Sequence, residues 1–315
     1  MALRLAETLR LTEADVARLV GPNDALEAVR SAHLDLALGT AVNVPRARAR
    51  LVGATLHSMS AASSSLGLLG TKVYAVAGGA MHSFVQLFSA DNGTLLAHIE
   101  ANELGRLRTT AASAVAARRL VQANPQELAI IGTGFQAEGL VAAYLAASAG
   151  FQLQKIRVYS RDQARREHFA EAATSRFGTS VRAYASAAAA VDGVELVVTA
   201  TSSSQPVVPF EALTTVRHIS AIGSNALSRR ELCPRTVTGA KLIVVDERAT
   251  AEREGGTLLG PIEHGRVNWN QVEELGDVLR QDSFSLPSSG YTLYCSHGLA
   301  VQDLYLAAEV YRRAA

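Results

Sequence analysis

Gly132, Gly134 and Ala137 stand in the run Gly132-Thr133-Gly134-Phe135-Gln136-Ala137, a spacing that suits one kind of ligand. The first glycine permits a tight turn. The second lets the backbone approach a pyrophosphate with no Cβ in the way. Ala137 lets a helix pack closely on a strand, and the start of that helix offers free N–H groups to the anion. The run follows an apolar stretch, Leu128 to Ile131, that reads as a strand, and it opens a helix expected over Gln136 to Ala149. Strand, glycine turn and helix in that order predict binding of a nicotinamide dinucleotide.

The tip of the next strand distinguishes the two forms of that cofactor. An acidic side chain there would accept from the ribose 2′-OH and repel a 2′-phosphate. This chain reads Tyr159-Ser160-Arg161-Asp162. Ser160 and Arg161 stand where the acid would be, and a guanidinium can pair with a phosphate. NADP(H) is therefore expected over NAD(H), with NAD(H) possible: a shift of one residue would bring Asp162 to the tip, and Arg161 would then be a solvated charge.

Around this motif the chain changes texture. Thr12 opens a short helix with a capping box, and a longer helix capped by Asp24 ends at Gly39. From Val42 to Phe88 the β-branched and aromatic residues predict several strands, among them Leu69 to Val76 and Ser83 to Phe88. Asp91-Asn92-Gly93 is a hairpin turn and Thr94 to Ile99 the returning strand. Arg108 to Leu120 is an Ala-rich helix. After Pro125 strands and helices alternate: Ile156 to Tyr159, Gln163 to Phe177, Val181 to Tyr184, a helix near Ala187, then Glu195 to Thr199, His218 to Ile222 and Leu242 to Val245. A last helix runs from near Gly298 to Arg313. Short buried strands alternating with helices predict a parallel sheet covered on both faces. The expected fold is α/β: a Rossmann dinucleotide-binding domain over 121–297, and an α/β substrate-binding and dimerisation domain made of 1–120 plus 298–315.

Composition narrows the function. The 315 residues are 48% hydrophobic and 19% charged, with a formal net charge of +1, so no overall field attracts nucleic acid or an anionic membrane. No uncharged apolar run reaches the about 18 residues needed to span a bilayer. No signal-peptide pattern opens the sequence. Cys233 and Cys295 are far apart and suit a reducing compartment, so a cytoplasmic protein is expected. No Cys/His pair has the spacing of a zinc site. His57, His82 and His297 are scattered and each is more readily a packed or surface residue than a catalytic one.

Several further motifs run in order along nearly the whole chain: Val44-Pro45-Arg46, Gly70-Thr71-Lys72, Asp91 to Ala97, Leu107 to Ser113, Ile222-Gly223-Ser224-Asn225, Glu231-Leu232, Val245-Asp246 and Ser296 to Asp303. With the glycine-rich run they resemble the ornithine cyclodeaminase/mu-crystallin family. The resemblance implies an N-terminal domain that takes back the last helix and forms a homodimer, with substrate in the cleft against the nicotinamide. It assigns the substrate carboxylate to Arg46, Lys72 and Arg108, a sensible grip for an α-amino or imino acid. The expected cofactor set is Gly132, Thr133, Gly134, Phe135, Gln136, Ala137, Ser160 and Arg161, with Thr199, Ala200, Thr201, Gly223 and Ser224. Lys72 and Asn225 are expected to serve the chemistry itself. Asp303 is expected to tie the last helix to the first domain, and His297 is a possible proton donor.

Asn225 departs from the family pattern. Ornithine cyclodeaminases carry an acid there, and Asn cannot take a proton at neutral pH. Reduction of a cyclic imine needs only a hydride and a proton, so the expected reaction is NAD(P)H-dependent reduction of Δ1-pyrroline-2-carboxylate or Δ1-piperideine-2-carboxylate to L-proline or L-pipecolate. Ornithine cyclodeaminase with recycled NAD is the alternative. An amino-acid dehydrogenase and a non-catalytic ligand-binding protein stand behind it.

Overall fold

The computed structural model describes residues 8–121, 124–147 and 151–315. The chain divides into two compact units, one formed by the residues up to 108 together with Leu299–Ala315, the other by Thr109–Gly298. The division therefore falls inside a helix, twelve residues before the expected boundary at 120, because that helix's first turns contact one unit and its remainder the other.

The first unit begins with β1 (Leu9–Leu11), α1 (Glu13–Leu19) and α2 (Pro22–Leu38). Thr12 caps α1 with the expected reciprocal bonds to Asp15. At α2 the expected cap is corrected: Gly21 is the N-cap and Pro22 the first helical residue, whose missing N–H costs nothing there. Asp24 sits a turn further on and accepts from the Gly21 N–H at 2.8 Å. Gly39 ends the helix at φ 72°, as expected of a residue without Cβ.

Five long strands follow: β2 (Ala41–Leu51), β3 (Ala54–Ser63), β4 (Leu68–Ala77), β5 (Ala80–Ser89) and β6 (Leu95–Glu100). Each pairs antiparallel with the next, and β1 joins β6 in parallel, giving the order β1-β6-β5-β4-β3-β2. Between β5 and β6, Gly93 alone has positive φ, and Asn92 instead accepts the Thr94 N–H at 3.0 Å. The turn is thus wider than a two-residue hairpin. α3 (Asn102–Leu120) leaves this sheet.

The second unit runs β7 (Glu127–Ile131), α4 (Phe135–Ala146), β8 (Lys155–Tyr159), α5 (Gln163–Phe177), β9 (Ser180–Ala183), α6 (Ala187–Val191), β10 (Leu196–Thr199), β11 (His218–Ala221), α7 (Pro234–Gly239), β12 (Leu242–Val245), α8 (Arg248–Glu254), α9 (Gly256–Glu263), β13 (Val272–Glu274), α10 (Leu275–Arg280) and β14 (Thr292–Cys295). The expected end of α4 at Ala149 lies outside the described residues. All eight strands are parallel, in the order β9-β8-β7-β10-β11-β14-β12-β13. The order reverses direction between β7 and β10, where such sheets take ligands. Its core of Val, Ile and Ala from β7, β10, β11, β12 and the helices is almost wholly buried, as continuous apolar strands require.

α11 (Ala300–Ala314) returns to the first unit and packs on α2 and across β3 and β4. Gly70 admits it: a Cβ there would lie 2.8 Å from Leu304 Cδ1. Among the described residues no helix is long and apolar enough to cross a membrane, and no group of three His, Cys, Asp or Glu could hold a metal ion.

Candidate active site

In the first unit, the covered face of the sheet carries the cations. Met59 faces Lys72 across β3 and β4, and the register of β2 against β3 shifts between Val44 and Ala47. Pro45 has no N–H to give the ladder, so a bulge forms there and takes up one extra residue. Arg46 is thereby buried, and its guanidinium lies 5.8 Å from the Tyr74 ring centroid, while the His57 ring stacks on that ring at 4.2 Å. Burial, reinforced by Arg46, Arg48 and Arg50, holds His57 down to about 4, so it is neutral at physiological pH.

Lys72, on β4, and Arg108, on α3, meet one carboxylate. Lys72 Nζ donates to Asp303 Oδ1 at 2.7 Å, and Arg108 Nε donates to the same oxygen at 3.1 Å. Arg46, Lys72 and Arg108 are 8%, 6% and 7% exposed. Arg108 Nη1 also donates to Gln302 Oε1 at 3.1 Å, and Gln302 Nε2 lies 3.0 Å from His33 Nε2. Asp303 Oδ2 accepts no hydrogen bond from the described residues. Lys72 and Arg108 together thus carry one more positive charge than Asp303 cancels. Burial pulls the Lys72 ammonium down to about 8; Arg108 and Arg46 add to this and Asp303 opposes it. A buried cation with that affinity for its proton can both attract a carboxylate and release a proton near neutrality. Asp303 does tie the last helix to the first unit, but through these cations, a role that residue type alone does not disclose.

The second unit carries the glycine-rich turn. Gly132 has φ +118°, and a Cβ on it would lie 2.5 Å from Ala200 O, so only glycine fits. Gly134 is the N-cap of α4 and provides no side-chain cap; a Cβ there would meet nothing within 4 Å. The space that Gly134 leaves and the uncapped helix start fit a pyrophosphate. Ala137 is fully buried and Phe135 is exposed. Gln136 is half-buried.

Thr133 Oγ1 donates to Ser160 Oγ at 2.7 Å, joining the glycine turn to the tip of β8. Arg161 is exposed there. Asp162 caps α5, accepting the Arg165 N–H at 3.0 Å, so its carboxylate serves the helix start. Arg165 Nε donates to Thr133 O at 3.2 Å and Arg166 Nη1 to Ser160 O at 3.0 Å. The guanidiniums of Arg165 and Arg166 therefore bind the backbone of the glycine turn and of the tip of β8.

Thr199, the last residue of β10, is wholly buried, while Ala200 and Thr201 beyond it are half-buried. Beyond β11, Ser224 turns inward: its hydroxyl lies 2.6 Å from Thr257 Oγ1 and accepts the Glu231 N–H at 3.2 Å. A buried hydroxyl must be satisfied within the protein, and both of these partners are protein groups. Asn225 Oδ1 accepts from Arg229 Nη1 at 2.9 Å. Asp246, at the end of β12, accepts from the Tyr294 hydroxyl, from Ser296 Oγ at 2.9 Å and from the His297 and Gly298 N–H groups at 2.6 and 2.9 Å. It thereby holds the turn that carries His297, which is buried; His82 is exposed on β5.

A family model described as the ornithine cyclodeaminase/mu-crystallin family matches residues 6–315. A Δ1-pyrroline-2-carboxylate reductase of Bacillus cereus is 32% identical over 236 residues, covering 74% of this chain and 71% of that protein. Among solved structures, the Δ1-pyrroline-2-carboxylate reductase of Thermococcus litoralis, in complex with NADH and L-proline, is 25% identical with a TM-score of 0.90, covering 98% of this chain and 97% of the other. A probable ornithine cyclodeaminase from Bordetella pertussis is 30% identical with a TM-score of 0.88, over 98% and 97% of the two chains.

Proposed function

Because this chain belongs to the ornithine cyclodeaminase/mu-crystallin family, we propose that it is an NAD(P)H-dependent reductase of a cyclic α-imino acid, with Δ1-pyrroline-2-carboxylate the first substrate to try. One observation carries the reading. Two buried cations, Lys72 and Arg108, share a single carboxylate oxygen, which leaves a net positive charge in a desolvated place and matches a substrate with one fixed carboxylate.

In this reading Arg46, Lys72 and Arg108 orient the substrate through that carboxylate. A reduced nicotinamide, when bound, supplies the hydride to the imine carbon. The nitrogen needs a proton, and Lys72, with its proton held only to about pH 8, is able to give it. Asn225 does not act as a base, because a carboxamide does not take a proton at neutral pH; its carbonyl oxygen accepts from Arg229 instead. That feature speaks against cyclodeamination, which needs a proton acceptor at this position.

The Gly132 to Ala137 turn, Ser160 and Arg161 hold the cofactor, with Thr199, Ala200, Thr201, Gly223 and Ser224 lining or shaping the remainder. NADPH is preferred over NADH, supported by Arg161 at the tip of β8 and by the use of Asp162 as a helix cap. The protein acts as a cytoplasmic homodimer. Support for the dimer comes from the face of the first sheet opposite α11, where Val42, Val44, Leu56 and Leu69 are all 42% or more exposed.

Purified protein incubated with NADPH and Δ1-pyrroline-2-carboxylate should oxidise the cofactor and yield L-proline. Ammonia released from L-ornithine without net NADPH oxidation would instead establish the cyclodeaminase.

A further inference from the structure

Glu231 is fully buried, and its carboxylate accepts from the backbone N–H groups of two separate loops. Oε1 accepts from Thr201 N at 2.6 Å, and Oε2 accepts from Gly223 N at 2.7 Å. The first loop leaves β10 and the second leaves β11. The residue's own N–H is held in turn by the hydroxyls of Ser224 and Thr257. No cation is among its described partners; the two N–H groups and the hydroxyls of Thr201 and Thr199 face the carboxylate instead. Burial pushes the carboxyl up, and the Thr201 and Gly223 N–H groups, with the Thr201 and Thr199 hydroxyls, pull against it. A buried carboxylate without a cation is an expensive group to keep. Here it does one thing that a neutral side chain of the same size cannot: it presents two acceptors on opposite sides to two donors.

The fit around it is tight. A Cβ on Gly223 would lie 2.0 Å from Thr201 O and 2.6 Å from Glu231 Oε1, so the two loops touch through this residue. In a doubly wound sheet each half of a dinucleotide lies at the strand ends of one half of the sheet. β7, β8 and β9, with the glycine turn, form the half for the adenosine end. β10 and β11 begin the half for the nicotinamide end. Glu231 touches only the latter.

We propose that Glu231 is the positioning residue for the nicotinamide end of the cofactor, setting the two loops after β10 and β11 and leaving the adenosine end untouched. This rests on the dinucleotide reading above. In Glu231→Gln the side chain keeps its shape, but its NH2 group must face one of the two N–H donors, and the loops part.

The test measures dissociation constants for NADPH and for 2′-phospho-ADP-ribose, which lacks only the nicotinamide. Wild type should bind both. Glu231→Gln should bind NADPH about tenfold or more weakly, one lost charge-assisted hydrogen bond, and the fragment within about twofold of wild type. Gly223→Ala, which forces the loops apart from the other side, should show the same split. Retained fragment binding reports that the second unit is folded. Equal losses for both ligands, or no loss for either, would overturn the role given to Glu231. Failure of the wild type to bind either ligand would overturn the dinucleotide reading instead.

Discussion

Lys72 keeps its positive charge against the pull of burial, and that makes it the residue whose protonation should be visible in the kinetics. Below about pH 8 it is charged and can hold a carboxylate; above, it loses that ability. The KM for the imino acid should therefore be flat below pH 8 and rise toward tenfold per pH unit above it. In Lys72→Arg, whose guanidinium does not titrate in this range, the break should vanish. The same shift has a stability consequence. The folded value of about 8 lies below the ordinary 10.5, so between them the unfolded chain binds the extra proton and this group's contribution to stability rises with pH. Arg108→Ala should raise KM about 30- to 150-fold, the equivalent of about 2–3 kcal/mol for a hydrogen bond to a charged group, with circular dichroism unchanged. Unaltered kinetics would remove Arg108 from the substrate grip.

At the scale of elements, the glycine turn and the tip of β8 make separable contributions. Gly132→Ala should abolish cofactor binding, since its Cβ would collide with Ala200 O and the residue would be held at φ +118°. Arg161→Ala should weaken NADPH about tenfold or more and leave NADH little changed, reducing the preference between them. These elements were legible in the sequence where local signals agree. α5 begins and ends at the expected residues because Asp162 caps it and Gly178 stops it. β14 escaped notice because four residues inside Tyr291-Thr292-Leu293-Tyr294-Cys295-Ser296 show no alternation when both faces are buried. β1 is only three residues long and exists by pairing with β6, a partner far away in sequence. The glycine turn was readable from its own motif, whereas Arg46, Lys72 and Arg108 were singled out only through the family resemblance, because residue type alone does not tell a buried cation from a surface one. Asp303 and Glu231 were not readable as site residues, because an acidic side chain gives no local sign that it will be buried against cations or backbone donors.

For the molecule as a whole, the open face of the first sheet is the feature to test. Light scattering on the purified protein should give twice the mass of the chain, and Leu69→Asp with Val44→Asp should halve it by placing charge on that face. The opposite face has a different history. Lys72 and its partner Asp303 are 231 residues apart, and the whole second unit is made between them. A ribosome finishes the five long strands early and α11 at the end. Throughout that interval the nascent sheet holds a hydrophobic surface without its cover and two cations without their counter-charge. The contiguous run 109–298 has no such wait and can fold as soon as it emerges. Refolding from denaturant should accordingly restore the parallel sheet first and the substrate grip last, because closing so long a loop is slow. The interval before α11 docks is when the newborn chain is most exposed to aggregation and most in need of a chaperone.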